Sequence, residues 1–241
     1  MVDDKRPWMA FCQRQTGLLE VQLIVVEDVL GLDETFAIRE ALHRAPFRDG
    51  ALTAGAAARK VKRNEQARGD DPGVVAVSQR VRLALESHDV MRRLVRPVRW
   101  SKLLFSRYGP SQQYGLHADN AVMTDADGWP FRTDISFTLF LSDPETYDGG
   151  GLLIADSAGD REFRPAAGCA VFYPTGLLHR VMPVTSGVRL ACVGWVQSSV
   201  RRPDQREILF DLERLRDGVT DEASLILDKT IGNLLRMWGG E

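Results

Sequence analysis

His117 and Asp119 stand either side of a single alanine, a spacing that puts an imidazole and a carboxylate on one face of an extended strand, where side chains alternate. His179 follows 62 residues later, at the head of a second strand-like run, Leu178-His179-Arg180-Val181. Two histidines and one carboxylate can hold one side of a metal ion and leave its other positions open, which suits an iron(II) centre that must admit further ligands. A closed structural zinc site would need a fourth protein ligand. The chain has only four histidines, and the other two, His43 and His88, fall in helix-like segments far upstream. Alone, a His-x-Asp pair is a weak signal, because such spacing arises by chance and a single histidine is more often a surface or satisfied core residue.

Arg189 strengthens the reading. It lies ten residues past His179, follows the Ser186-Gly187 turn and opens the apolar run Leu190-Ala191-Cys192-Val193. A charge there is costly to bury unless an anion pairs with it. The parallel N–H groups of a guanidinium match a carboxylate, such as the far end of a dicarboxylate. The bland alternative is a strand-edge arginine facing water. Ser136, Thr138 and Phe140 alternate onto one strand face, and Trp195, six residues after Arg189, shares its face, where plain core packing is an equally good reading.

The elements that must position these groups fall into three stretches. Val21–Val29 is a β-branched run that reads as a strand, and a helix opens at Leu32-Asp33 with Asp33 as N-cap. Residues 47–73 read as a loop with short structured pieces, and Val74 to Leu94 as one helix ended by Pro97. Between Trp100 and Val196 the texture changes. Trp100–Tyr108, Asp134–Leu141, Leu152–Ala155, Cys169–Tyr173, His179–Pro183 and Leu190–Val196 are short β-like runs. Turns at Gly109-Pro110, 148–151, 158–160 and Ser186-Gly187 divide them, the pattern of a sandwich or barrel. Pro203 then begins a helical tail that carries Ile208, Leu209, Leu212 and Leu215, and a last helix runs through Ile231 to Trp238. The expectation is an α+β chain, a jelly-roll core with N-terminal supporting helices and a helical C-terminal tail. Residues 1–20 read as an extension and 21–241 as one domain, with support over about 21–97, core over about 98–200 and tail helices over about 203–238.

Composition bounds the function. The chain has 241 residues, 44% of them hydrophobic and 27% charged, enough for a sizeable core without disulfides. A net charge of −2 provides no field that would draw it to nucleic acid or an anionic membrane. The clusters Arg59-Lys60 with Lys62-Arg63, and Arg92-Arg93 with Arg96, read as solvated helix faces. Three cysteines, Cys12, Cys169 and Cys192, form no disulfide or zinc pattern, and the last two read as buried thiols. With no secretory signal and no membrane-span candidate, the expected location is the cytoplasm.

Taken together these residues resemble the Fe(II)/2-oxoglutarate dioxygenase superfamily, in its prolyl-4-hydroxylase-like branch containing the PKHD-type hydroxylases. The resemblance runs from about Val21 to Leu215. It is carried by Arg107-Tyr108-Gly109, Tyr114-Gly115-Leu116-His117-Ala118-Asp119-Asn120, Arg132-Thr133-Asp134-Ile135-Ser136 and Phe140-Leu141-Ser142-Asp143-Pro144. Tyr147-Asp148-Gly149-Gly150, Tyr173-Pro174, Pro183-Val184-Thr185 and Trp195-Val196-Gln197-Ser198 extend it, with Thr53-Ala54-Gly55 and Val61-Lys62, Asn64 and Gln66 upstream. It implies a double-stranded β-helix, iron held by His117, Asp119 and His179, and 2-oxoglutarate anchored by Arg189 with Tyr108 and Thr138 as further contacts. Tyr114, three residues before the first ligand, is expected on the substrate side, and Asn120, Arg132 and Trp195 are further candidate substrate contacts. Iron(II), 2-oxoglutarate and O2 are then the cofactor and co-substrates, with ascorbate as a stimulant, and the products are a hydroxylated substrate, succinate and CO2. Asp119 fills the place that is vacated for chloride in related halogenases. One departure is Gly151, where the family usually carries glutamate.

Two other classes stay open at this stage: a cupin-like metal enzyme that does not use 2-oxoglutarate, and a silent binding module that kept the fold. The substrate reads as a small molecule, since neither a basic field nor a peptide-docking repeat is evident, with protein side chains as the alternative. Nucleic acid and membrane are not expected as partners, and the amphipathic tail leaves a homo-oligomer open.

Overall fold

The computed structural model describes residues 23–125, 127–156 and 159–240. The extension over residues 1–20 with Cys12, the first two residues of the expected Val21–Val29 strand and Ala158 of an expected turn lie outside them. Helix α1 (Leu32–Arg44) starts one residue earlier than Asp33 allows. Gly31 is the N-cap, its N–H donating to the Glu34 carboxylate at 3.3 Å and its carbonyl accepting from the Thr35 hydroxyl at 2.9 Å, while Asp33 sits in the first turn. A single turn, α2 (Ala56–Arg59), follows. Helix α3 (Pro72–Ser87) is capped by Asp71, whose carboxylate accepts from the N–H groups of Gly73 and Val74, and Pro72 fills the first turn, where its missing donor costs nothing.

The helix expected over Val74 to Leu94 is two elements. Backbone at His88 turns extended and the helix stops at Ser87. A π-helical turn over Met91–Val95 then closes on Arg96, a non-glycine residue in the left-handed region at φ 51°. The break keeps Met91, Leu94 and Val95 buried while Val74, Val77, Val81 and Leu85 form their own buried stripe. Nor are the nearby arginines a free solvated face. Arg93 pairs with Asp89 and Asp217, and Arg96 with Glu213.

Two antiparallel sheets carry the rest. The larger runs in the order Ile24–Val26, Ala170–Pro174, Ile135–Phe140, Arg189–Ser198, Leu104–Tyr108, Glu65–Ala67 and Phe47–Asp49, with Pro97–Trp100 paired to the far end of Arg189–Ser198. The smaller runs Gly159–Phe163, Leu152–Asp156, Leu178–Val181, Gln113–His117 and Lys62–Arg63. This is a double-stranded β-helix. Alternation splits the larger sheet cleanly: Ile135, Phe137, Leu139, Phe172, Cys192 and Val196 pack against α1 and α3 in the main core, while Ser136, Thr138 and Phe140 face the smaller sheet. Cys169 and Cys192 are buried thiols.

Several short strands carried too few residues to read from sequence. Val122–Thr124 and Pro130–Arg132 form a separate hairpin. The turns expected at 148–151 and Ser186-Gly187 belong in part to a paired ribbon of Tyr147–Gly149 with Val184–Gly187. Gly187, at φ 72°, belongs to it because a side chain there would run into the Thr146 carbonyl. The tail is α4 (Pro203–Asp217) and α5 (Asp221–Trp238), docked through Val200, Leu209 and Ile231. Among the described residues no helix is long and apolar enough to cross a membrane.

Candidate metal and co-substrate site

His117 is the last residue of the Gln113–His117 strand and pairs directly with His179 on Leu178–Val181, so the sheet itself brings the two imidazoles together. Their ring centroids are 4.3 Å apart. Asp119 does not share the strand with His117, as alternation predicted. It lies two residues past the strand's end, and its carboxylate turns back toward both rings, 3.7 Å from His117 Nε2 and 3.5 Å from His179 Nε2. One ligand atom from each of the three residues lies within 4.8 Å of the others.

The local bonding prepares these atoms for a cation. His117 Nδ1 lies 2.8 Å from the Gly115 carbonyl and His179 Nδ1 3.0 Å from the Leu177 carbonyl. A carbonyl only accepts, so the proton sits on Nδ1 in both rings and leaves each Nε2 lone pair to the centre. Burial, then the neighbouring His179, lowers the His117 pKa to about 4, which keeps that ring neutral at physiological pH. Ser136 Oγ donates to Asp119 Oδ2 at 2.8 Å and also contacts Thr175 Oγ1 at 3.1 Å. Tyr114 stacks on His117 at 3.6 Å between centroids, and Tyr173 packs on His179 at 4.9 Å. Two neutral imidazoles and one anchored carboxylate fit a divalent iron with open positions.

Arg189 opens its strand opposite Tyr108 and is 1% exposed. Its guanidinium lies over the rings of Tyr108 and Phe140, at 5.3 and 5.0 Å, and its Nε and Nη2 find no hydrogen-bond partner among the described residues. So large a buried cation with two unmatched donors calls for an anion in the cavity beside it. Burial pushes the Tyr108 hydroxyl up to about 12, and pushes Tyr173 well above the usual phenol range, so both stay protonated.

The ligand cluster and Arg189 line one cavity, open to solvent at its mouth. Tyr108, Thr138, Tyr114, Asn120 and Trp195 line it as well, and Trp195 Nε1 lacks a partner among the described residues. Arg132 does not. It grips Asp134 with two bonds, at 2.6 and 3.0 Å, and Asp134 in turn accepts from the Ser198 N–H, so Arg132 braces strands outside the cavity lining. Gly151 is also outside the cavity. The space its side chain would take is filled by the Glu162 carboxylate from the neighbouring strand. His43 and His88 stand on α1 and at the end of α3, away from the cluster. Sequence reasoning missed Lys62, which it placed on a solvated face; the residue is buried in the cavity wall. Its pairing with Tyr114, in a strand only two residues long, gives no periodic signal.

The comparisons with known proteins point to one family. A profile described as the 2OG-Fe(II) oxygenase superfamily matches residues 103–197. A PKHD-type hydroxylase of Maricaulis maris is 46% identical over 222 residues, 90% of this chain and 98% of its own. One from a Picosynechococcus species is 43% identical over 219 residues, 88% of this chain and 97% of its own. Among solved structures, a Pseudomonas putida prolyl-4-hydroxylase superposes with TM-score 0.51 at 19% identity, covering 73% of this chain and 93% of that one. HygX from Streptomyces hygroscopicus, solved with nickel and 2-oxoglutarate bound, gives 0.53 at 17% identity, covering 73% and 83%.

Proposed function

The chain belongs to the PKHD-type hydroxylases of the 2OG-Fe(II) oxygenase superfamily, non-haem iron enzymes that use 2-oxoglutarate, and we propose that it hydroxylates an unactivated C–H bond of a small-molecule substrate. When bound, iron and 2-oxoglutarate supply the oxidising power: the keto acid loses CO2, one atom of O2 enters succinate and the other the new hydroxyl. The observation that carries the assignment is the meeting, in one cavity, of a three-residue ligand cluster and a buried arginine with unmatched donors.

In this reading His117 and His179 offer Nε2 and Asp119 one carboxylate oxygen, while Ser136 fixes the other. Arg189 takes the distal carboxylate of 2-oxoglutarate through two parallel N–H groups, and the Tyr108 and Thr138 hydroxyls complete its cradle. Tyr114 and Trp195 offer aromatic surface on the substrate side, with Asn120 exposed near the mouth. The walls exclude water from the reacting positions and fix one C–H bond toward the metal. The ligand cluster and Arg189 lie recessed among buried side chains, not on an open face, which supports a small molecule over a folded protein surface.

The test is an anaerobic titration of apo-protein with Fe(II) and 2-oxoglutarate, read by the weak visible metal-to-ligand charge-transfer band. The wild type should give the band, Asp119→Ala should weaken or shift it, and Arg189→Ala should need at least about thirty times more 2-oxoglutarate, as expected for removing one partner of a buried charge pair. No band at saturation would sink the site assignment. Succinate release that responds to protein fractions but to no metabolite pool would sink the small-molecule part.

A further inference from the structure

Two upstream segments supply none of the three metal-ligand candidates, yet Thr53, Ala54 and Gly55 of one and Lys62 and Gln66 of the other meet on one wall of the cavity. Lys62 pairs with Tyr114 beside the ligand strand and is 8% exposed. Its Nζ donates to Thr53 Oγ1 at 3.0 Å and sits 5.0 Å from the Tyr114 ring centroid. Thr53 Oγ1 also bonds Gln66 Oε1 at 2.5 Å, and Gln66 Nε2 donates to Ser106 Oγ at 3.2 Å. The row is polar and interlinked, with Lys62, Gln66 and Ser106 buried and Thr53 exposed. Among the described residues no carboxylate lies within 4.0 Å of Lys62; Asp119 and Asp49 act on it only at longer range. Burial lowers its pKa to about 8, which leaves the ammonium the main form at neutral pH.

A charge balance sets what this ammonium is for, and it rests on the site reading above. Among the described residues only Lys62, Asp119 and Arg189 bring formal charge to the cavity wall, the histidines being neutral ligands. Asp119 offsets Arg189, and the two positive charges of iron(II) offset the two negative charges of 2-oxoglutarate. Lys62 is then left as a buried cation without a close counter-charge, Asp49 acting on it only at longer range, an arrangement that folded proteins avoid unless an anion completes it. A monoanion completes it, whereas a phosphate, at close to two charges, would overshoot. We propose that Lys62, held in place by its bond to the Thr53 hydroxyl, receives a carboxylate of the substrate, so that the substrates of this enzyme are small carboxylic acids.

The experiment uses the anaerobic Fe(II)–2-oxoglutarate protein and a matched probe set: propionate, butyrate, L-proline and L-leucine, each beside its primary amide, titrated by calorimetry while the visible band reports that the co-substrate stays bound. At least one acid should bind about 10–100 times tighter than its amide, the usual range for a hydrogen bond to a charged group. Lys62→Gln should erase that preference and Lys62→Arg should keep it, with the 2-oxoglutarate requirement of both near the wild type. Four results would overturn the proposal: no acid binding at tens of millimolar, amides binding as well as acids, a preference that survives Lys62→Gln, or a 2-oxoglutarate requirement raised in Lys62→Gln as in Arg189→Ala. The last would make Lys62 a co-substrate residue. Absence of the band sinks the site reading and this inference together, whereas a band without acid preference sinks this inference alone.

Discussion

Ser136 can separate metal affinity from co-substrate affinity. Its hydroxyl is the only side-chain donor that the described residues give Asp119, at 2.8 Å, and it touches no other member of the ligand cluster. Ser136→Ala should therefore weaken Fe(II) binding by about 10–100-fold, the usual cost of removing a hydrogen bond that orients a metal ligand. The 2-oxoglutarate requirement, read at saturating iron, should not change. A metal titration indistinguishable from wild type would mean that the carboxylate holds its orientation without help. At this scale the two histidine ligands were readable because the chain has only four histidines, and Asp119 and Arg189 because each stands at a short fixed spacing from one of them. Lys62 and Arg132 were not. A lysine in a run of basic residues carries no mark of burial, and an arginine two residues from an aspartate carries no mark of the two bonds that occupy it.

Elements were legible in proportion to their length. The six-residue strand Ile135–Phe140 shows its two faces directly, and Ser136, Thr138 and Phe140 do face away from the helices. Strands of two or three residues, and the break after Ser87, depend on partners distant in sequence, which no local pattern encodes. The ribbon of Tyr147–Gly149 and Val184–Gly187 shows what such an element can do. Gly150, just beyond it, has φ 65°, and a side-chain carbon there would lie 2.9 Å from Val184 Cγ2, 3.0 Å from Arg189 Cδ and 3.1 Å from the Tyr147 ring. Gly150→Ala pays a backbone penalty of about 1–2 kcal/mol in that region and presses on the stem of Arg189. The expected result is a 2-oxoglutarate requirement raised about tenfold, with iron affinity preserved, measured by the same two titrations. Unchanged co-substrate affinity with a lowered melting temperature would show that Val184 and Tyr147 yield in place of Arg189.

For the molecule as a whole, α4 and α5 pack at the opposite end of the sequence from α1 and α3, and one buried ion pair helps tie the tail to the N-terminal support. Arg96, held in the left-handed region after the π-turn, meets Glu213 of α4 at 2.8 Å, with both side chains about nine-tenths buried. Neither residue lines the cavity. Glu213→Ala leaves the guanidinium buried without its carboxylate, a change that costs roughly 3–5 kcal/mol. For a chain of this size that corresponds to a fall of about 6–20 °C in melting temperature. Replacing both partners, Arg96→Met with Glu213→Met, removes the stranded charge and should recover most of the loss, since apolar groups of similar volume replace buried pairs at little cost. Thermal melts of the three proteins test the first part, and the visible band at low temperature tests the second, where Glu213→Ala should bind Fe(II) and 2-oxoglutarate as the wild type does. If that variant loses the band while still folded, the tail does more than brace the support, and the geometry of the metal centre depends on it across the main core.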